Sequence, residues 1–169
     1  EKNKIELEEI GLILNDHNSN KISSSAIREN LKAGKIELAN KDLKRNFCVA
    51  GKVIKGDQRG RTIGIPTANF EYPLNTITIP YGVYAVETII EGNTYFGIVN
   101  FGIRPTFNKD KPIVEAYLFD FDNDIYDKDI EILFHKQIRQ EKKFNDIKEL
   151  LNQINIDIAE AKKILKYGN

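Results

Sequence analysis

Between Gly56 and Asn69 the chain reads Gly-Asp-Gln-Arg-Gly-Arg-Thr-Ile-Gly-Ile-Pro-Thr-Ala-Asn. Gly56, Gly60 and Gly64 let the backbone turn tightly and bring successive N–H groups close to a ligand, an arrangement that suits an anion. Arg59 and Arg61 stand between them and can meet phosphate oxygens. Pro66 then stiffens the chain, and Thr67 and Asn69 come next with short oxygen-bearing side chains of the kind a magnesium ion or a phosphate uses. The competing reading is a glycine-rich hairpin with solvent-facing arginines. The segment lacks the Gly-Lys-Ser/Thr of the common phosphate loop, and its spacing is not that of a dinucleotide fingerprint.

A second candidate is Glu115, a carboxylate inside the apolar run Ile113–Phe119. Such a group must face solvent, find a partner or do chemistry. The period of a strand puts Glu115, Tyr117 and Phe119 on one face. A carboxylate beside aromatic rings at a pocket mouth can take a proton from a hydroxyl; the alternative is an ordinary cross-strand partner for a lysine or arginine. Arg104 precedes a rigid proline in the loop Gly102–Phe107, and Arg139–Phe144 joins a strand to a helix. Either segment can border a site or be plain turn and solvated charge. Tyr117, Phe119, Phe121 and Tyr126 can stack on a planar ligand or fill a core. His17 and His135 stand alone, and Cys48 reads as core, so neither a zinc site nor a nucleophilic triad is indicated. A phosphate-binding segment together with a carboxylate base suits a small-molecule kinase, whose chemistry is mostly positioning and charge neutralisation.

These residues need a scaffold. The 169 residues suffice for one domain with a core and a small appendage. Basic and acidic residues balance at 25 each, which gives no electrostatic reason to expect nucleic acid or an anionic membrane as partner. A single cysteine suits a reducing compartment, no apolar run is long enough to span a bilayer, and the default is a cytoplasmic protein. Residues 5–14 read as a strand, Ser23–Ser25 cap a short helix ending at Gly34, and Ile36, Ala39 and Leu43 recur at helical spacing. These pieces cannot bury a core alone and are expected to lean on the next domain, with a boundary near Lys44 to Phe47. From there strands are expected at Phe47–Lys55, Val83–Ile90, Thr94–Phe101, Ile113–Phe121 and Ile130–Ile138, with Thr76–Ile79 short and extended, for five or six strands in all, and Glu91-Gly92-Asn93 as a tight turn. That pattern fits a small antiparallel barrel or sandwich. A final helix, capped by Asn145 or Asp146 with Glu149, presents Ile147, Leu150, Leu151, Ile154, Ile158, Ala161 and Leu165 on one face.

Five stretches, in order and spacing from Phe47 to Leu165, resemble the riboflavin kinase family. They are Gly51–Phe70, Gly82-Val83-Tyr84-Ala85, Asn100–Phe107, Glu115–Phe121 and Ile138–Phe144. Ile22–Arg28 resembles the closing motif of the adenylyltransferase domain in bacterial bifunctional riboflavin kinase/FAD synthetases. The resemblance implies a mainly β fold, a six-stranded antiparallel Greek-key barrel with a C-terminal helix and a small N-terminal appendage. It implies residues 1–45 as a remnant of the FMN adenylyltransferase domain and 46–169 as the kinase domain. It further implies ATP and riboflavin as substrates, FMN as product, and Mg²⁺ held at Thr67 with Asn69 beside it. Gly56, Gly60, Arg61, Gly64 and Pro66 would serve the ATP phosphates, and Glu115 would be the base. Arg104, Tyr117, Phe119, Arg139, Glu141 and Phe144 would face the flavin. FAD synthesis is not expected from this chain, and the adenylyltransferase domain of the full-length protein is the implied partner. A flavin-binding barrel without turnover is the alternative. The chain departs from the family pattern at Tyr126-Asp127, where glycine usually comes after tyrosine, and at Asn108–Lys111, where a glycine is often found.

Overall fold

The computed structural model describes residues 21–56, 59–104 and 111–168. The segment expected as a strand at 5–14 lies outside the described residues. Two helices come first, α1 (Ser24–Lys32) and α2 (Ile36–Leu43). The Ser23 side chain accepts from Ala26 N at 3.2 Å and caps α1. Both helices bury their apolar residues against the sheet: Leu31, Ile36 and Ala39 belong to the same buried cluster as Phe47, Val49 and Phe134. Asn40 fastens the contact, its Nδ2 donating to Phe134 O at 2.8 Å while its Oδ1 accepts from Phe47 N at 2.7 Å.

Six antiparallel strands come after the helices: β1 (Phe47–Lys52), β2 (Ala68–Glu71), β3 (Gly82–Ile90), β4 (Asn93–Arg104), β5 (Lys111–Leu118) and β6 (Asp129–Gln140). A helical turn, α3 (Arg59–Thr62), stands between β1 and β2. The strand order is β1-β6-β3-β4-β5-β2. The sheet curls until its two edges meet at one bridge, where Ile54 N donates to Asn69 O at 2.7 Å. Curling encloses the core: Phe70, Tyr84, Val86, Val99, Phe101, Val114, Ile132 and Phe134 are fully buried. This is the six-stranded architecture expected for the flavokinase fold. No described helix is long and apolar enough to cross a membrane.

Two strand expectations need correction. Thr76–Ile79 is not a strand; the sixth strand is Ala68–Glu71, which pairs along β5 from Ala68↔Ala116 to Glu71↔Ile113. The strand read as reaching Phe121 ends at Leu118, because Asp120 takes a positive φ of 51° and turns the chain. Asp127 likewise sits at φ 62°, the conformation that the family's usual glycine would adopt freely.

Helix α4 (Ile147–Ile164) lies on the outer face of the sheet, with Ala161 and Leu165 against Val83, Ala85, Ile98 and Phe119. Its start obeys the capping-box logic: Asp146 Oδ1 accepts from Glu149 N at 2.8 Å, and Glu149 Oε2 accepts from Asn145 N at 3.1 Å. Ile147, expected on the apolar face, is 62% exposed because it lies in the first turn, beyond the covered part of the sheet. Asp157 occupies that face instead.

Candidate active site

The loop between β1 and β2 owes its shape to backbone contacts. Gly60 O accepts from Ile65 N at 2.8 Å and Ile63 N at 3.2 Å, folding the chain back upon itself. A Cβ at Gly60 would stand 2.2 Å from Ile65 O, so only glycine fits there. The returning chain sets Arg61, Pro66 and Thr67 on the wall of a cavity of about 420 Å³. Ala68, Ala116 and Leu118 form another wall, and Asp122–Tyr126 close the mouth. This volume lies within the range of small-molecule sites. A smaller niche continues from it, lined by Gly56, Arg61, Pro66, Thr67, Asn69 and Tyr126. Of the loop residues read as phosphate-binding, Gly56, Arg61, Pro66, Thr67 and Asn69 are thus gathered round two adjoining spaces, while Gly60 and Gly64 line neither and shape the loop, Gly64 at φ 78°.

Asn69 lies at the back of the niche, 5% exposed. Its Nδ2 donates to Thr67 O at 3.1 Å, while its buried Oδ1 has no hydrogen-bond partner among the described residues. A carbonyl oxygen and a threonine hydroxyl on residues lining one niche are donor types a small hard cation takes, with phosphate oxygens completing its shell. Among the described residues no group of three or more His, Cys, Asp or Glu offers an alternative metal site.

Glu115 is the residue opposite Asn69 in the β2–β5 ladder and opposite Asn100 in the β4–β5 ladder. Residues directly opposite across an antiparallel pair project to the same face, so Asn69, Glu115 and Asn100 form one row on the outside of the sheet. Asn100 Nδ2 donates to Glu115 Oε2 at 3.3 Å. The sequence singles out Glu115 and Asn69 separately. Asn100 stands there only as the first residue of a family-like stretch, and a polar side chain in the otherwise apolar Phe96–Phe101 run is the signal that could have found it.

Of the six residues assigned to the flavin, Tyr117, Phe119, Arg139, Glu141 and Phe144 are dispersed along this outer face. Tyr117 is half-buried, opposite Ile98 and one step from Glu115 along the same face. Phe119 is buried beneath α4, with Lys162 Nζ 5.2 Å from its ring centroid. Arg104 ends β4 opposite Lys111, and the loop 105–110 lies outside the described residues. Arg139 forms a fork with Asp157 and lies 5.7 Å from the Phe144 ring. Glu141 rests against Gly102, where a Cβ would come within 2.2 Å of its Oε1. Asp157 is not among the residues the sequence points to; its sole signal is a carboxylate at helical spacing from Ile154 and Ala161.

Comparison with known proteins identifies the family. Residues 43–165 match the family model described as flavokinase, riboflavin kinase. A bifunctional riboflavin kinase/FMN adenylyltransferase of Bacillus subtilis is 48% identical over 144 residues, covering 83% of this chain and 46% of that protein. The enzyme of the same description from Pseudomonas fluorescens is 36% identical over 145 residues, covering 85% and 46%. The chain therefore spans about half the length of these curated relatives. A crystal structure of a macrolide-efflux protein from Streptococcus pneumoniae has the same fold, with a TM-score of 0.82 and 32% identity, covering 91% of this chain and 50% of that one. The loop, the row across three strands and the extent of these matches lead to one assignment: this chain belongs to the riboflavin kinase family, as a domain related to the bacterial bifunctional riboflavin kinase/FMN adenylyltransferases.

Proposed function

We propose that this chain phosphorylates the 5′-hydroxyl of riboflavin with ATP, giving FMN and ADP. The observation that supports this reading is the register of β2, β5 and β4, which pairs Glu115 with Asn69 of the niche on one side and Asn100 on the other. ATP occupies the barrel-mouth cavity, its base against Ala116, Leu118 and Tyr126 and its phosphates along Arg61, Pro66 and Thr67. Gly56, Gly60 and Gly64 allow that loop to approach closely. Thr67 Oγ1 and Asn69 Oδ1 would hold Mg²⁺, and that ion neutralises phosphate charge when bound.

Riboflavin approaches from the outer face, its ribityl chain toward Glu115. Glu115 orients the 5′-hydroxyl and accepts its proton as the oxygen attacks the γ-phosphorus; the bond from that phosphorus to the β,γ-bridging oxygen breaks and ADP leaves. Asn100 Nδ2 donates to Glu115 Oε2 and helps to orient the carboxylate. Tyr117, Glu141 and Phe144, with Arg104 at the end of β4, border the flavin side, and Phe119 supports Tyr117 from beneath α4. Segment 139–144 covers the acceptor and excludes water that would otherwise take the phosphoryl group.

Residues 46–169 are the kinase unit in this reading, and 1–45 close a preceding adenylyltransferase domain of the full-length protein. Purified chain incubated with riboflavin, ATP and Mg²⁺ should form FMN, detected by chromatography of the flavins. A folded sample that binds riboflavin and makes no FMN would favour a flavin-binding module without turnover.

A further inference from the structure

Asp157 is a buried carboxylate that the phosphate site does not use. It is 1% exposed on the sheet-facing side of α4. Arg139 Nε lies 3.0 Å from Oδ1 and 2.9 Å from Oδ2, Arg139 Nη2 is 2.9 Å from Oδ2, and Gln153 Nε2 donates to Oδ1 at 3.0 Å. A buried ion pair is weak evidence for stability, since well-packed apolar residues commonly do as well. Its position is more informative than its energy.

Arg139 is the penultimate residue of β6. Besides gripping Asp157, its Nη1 donates to Gln140 O at 3.0 Å, and its guanidinium lies 5.7 Å from the Phe144 ring centroid. One side chain thereby joins α4, the end of β6 and the segment leading to the helix. The far end of that segment is held as well, by Glu149 on Asn145 and by Lys142 Nζ on Glu149 at 3.2 Å. Between these anchors Glu141 reaches Gly102, which lies two residues beyond Asn100 on the same face of β4. The anchored segment therefore ends beside the row that carries Glu115.

We propose that Asp157, acting through Arg139, is a positioning residue for the acceptor substrate. It fixes residues 140–144 so that Glu141 and Phe144 form the rim of the flavin side. This inference rests on the riboflavin kinase reading and deepens it: Arg139 serves as a strut between helix and rim, not as a direct ligand of the flavin. The donors Nε and Nη2 are engaged by Asp157, and Nη1 by the Gln140 carbonyl.

The test is a double-mutant cycle on the whole chain, with Asp157→Asn, Arg139→Lys and the pair. Riboflavin Kd is measured by quenching of flavin fluorescence, with KM for ATP and the melting temperature alongside. Each single change should weaken riboflavin about tenfold and the pair no further than either, because the two residues act as one unit. KM for ATP should stay within about twofold. Unchanged riboflavin Kd in folded single variants would overturn the proposal. So would a loss confined to Arg139→Lys, which would mean direct contact with the flavin. Should Asp157→Asn fail to fold, the apolar pair Arg139→Met with Asp157→Leu removes the clamp and the buried charge together. A riboflavin Kd unchanged in that variant overturns the proposal, and a tenfold rise upholds it. Wild-type chain that neither binds riboflavin nor forms FMN would instead refute the kinase reading itself.

Discussion

Asn69 and Glu115 stand directly opposite one another in the β2–β5 ladder, and Asn69 is also the residue at which the curled sheet closes on Ile54. Closure of the barrel and placement of the carboxylate are therefore one structural event. The niche residue Asn69 and the proposed base are held in register by the β2–β5 ladder.

Thr67 lines the same niche as Asn69, whose Oδ1 has no hydrogen-bond partner among the described residues. Thr67→Ala should lower kcat by about 10²–10³, the scale for removing one group that stabilises charge in the transition state. Thr67→Ser keeps the oxygen and should stay within about tenfold of wild type on that same scale. Steady-state rates measured across a Mg²⁺ titration check this, with recovery of the alanine variant at high Mg²⁺ as the expected signature. Equal losses in both variants would show that the hydroxyl is not the operative group.

Thr88 Oγ1 is buried in β3 with no hydrogen-bond partner among the described residues. Its parity with Tyr84 and Val86 turns it into the barrel core. Thr88→Val, nearly the same shape without the hydroxyl, should stabilise the fold by about 1 kcal/mol. For a chain of this size that raises the melting temperature by about 2–4 °C. A fall in melting temperature would mean that the hydroxyl has a partner after all.

Several features of this arrangement were legible in the sequence. Glu91-Gly92 marks the β3–β4 hairpin, and both residues take positive φ, at 49° and 82°. Asp146 and Glu149 announce the start of α4. Thr67 and Asn69 stand out by their short oxygen-bearing side chains after Pro66. Strand β2 was not legible, because four residues with a buried asparagine carry no alternation and form a strand only by virtue of β5 and the bridge to Ile54. The pairing of Asn69 with Glu115 was hidden for the same reason: register between strands distant in sequence depends on how the sheet closes. Asp157 reads as a solvated helix position until Arg139, on another element, is set beneath it.

The ionisable groups give the fold a defined pH window. The Asn145 backbone N–H first, then Lys142, lower the Glu149 pKa below its ordinary 4.5. A depressed carboxylate contributes stability above its unfolded pKa and loses it as pH falls through the folded value. Burial raises Tyr72 and Tyr84 well above 10.0, Tyr72 adding to the rise at Tyr84, and the Asp120 carboxylate raises Tyr167. A raised phenol contributes stability below pH 10 and loses it as pH rises through the folded value. Melting temperature should therefore fall below about pH 4 and above about pH 10. Glu149→Gln should flatten the acid limb and Tyr72→Phe the alkaline one, while unchanged limbs in both variants would contradict these assignments.

The most direct test is the rate of FMN formation by Glu115→Gln, measured beside its riboflavin Kd. Glutamine keeps the shape and accepts a hydrogen bond from Asn100, but it cannot take a proton. Riboflavin Kd should stay within about twofold of wild type while turnover falls by about 10²-fold or more, the scale of general-base removal. A rate within about a factor of two of wild type, far from that scale, would contradict a catalytic Glu115 and with it the role of the Asn69–Glu115–Asn100 row.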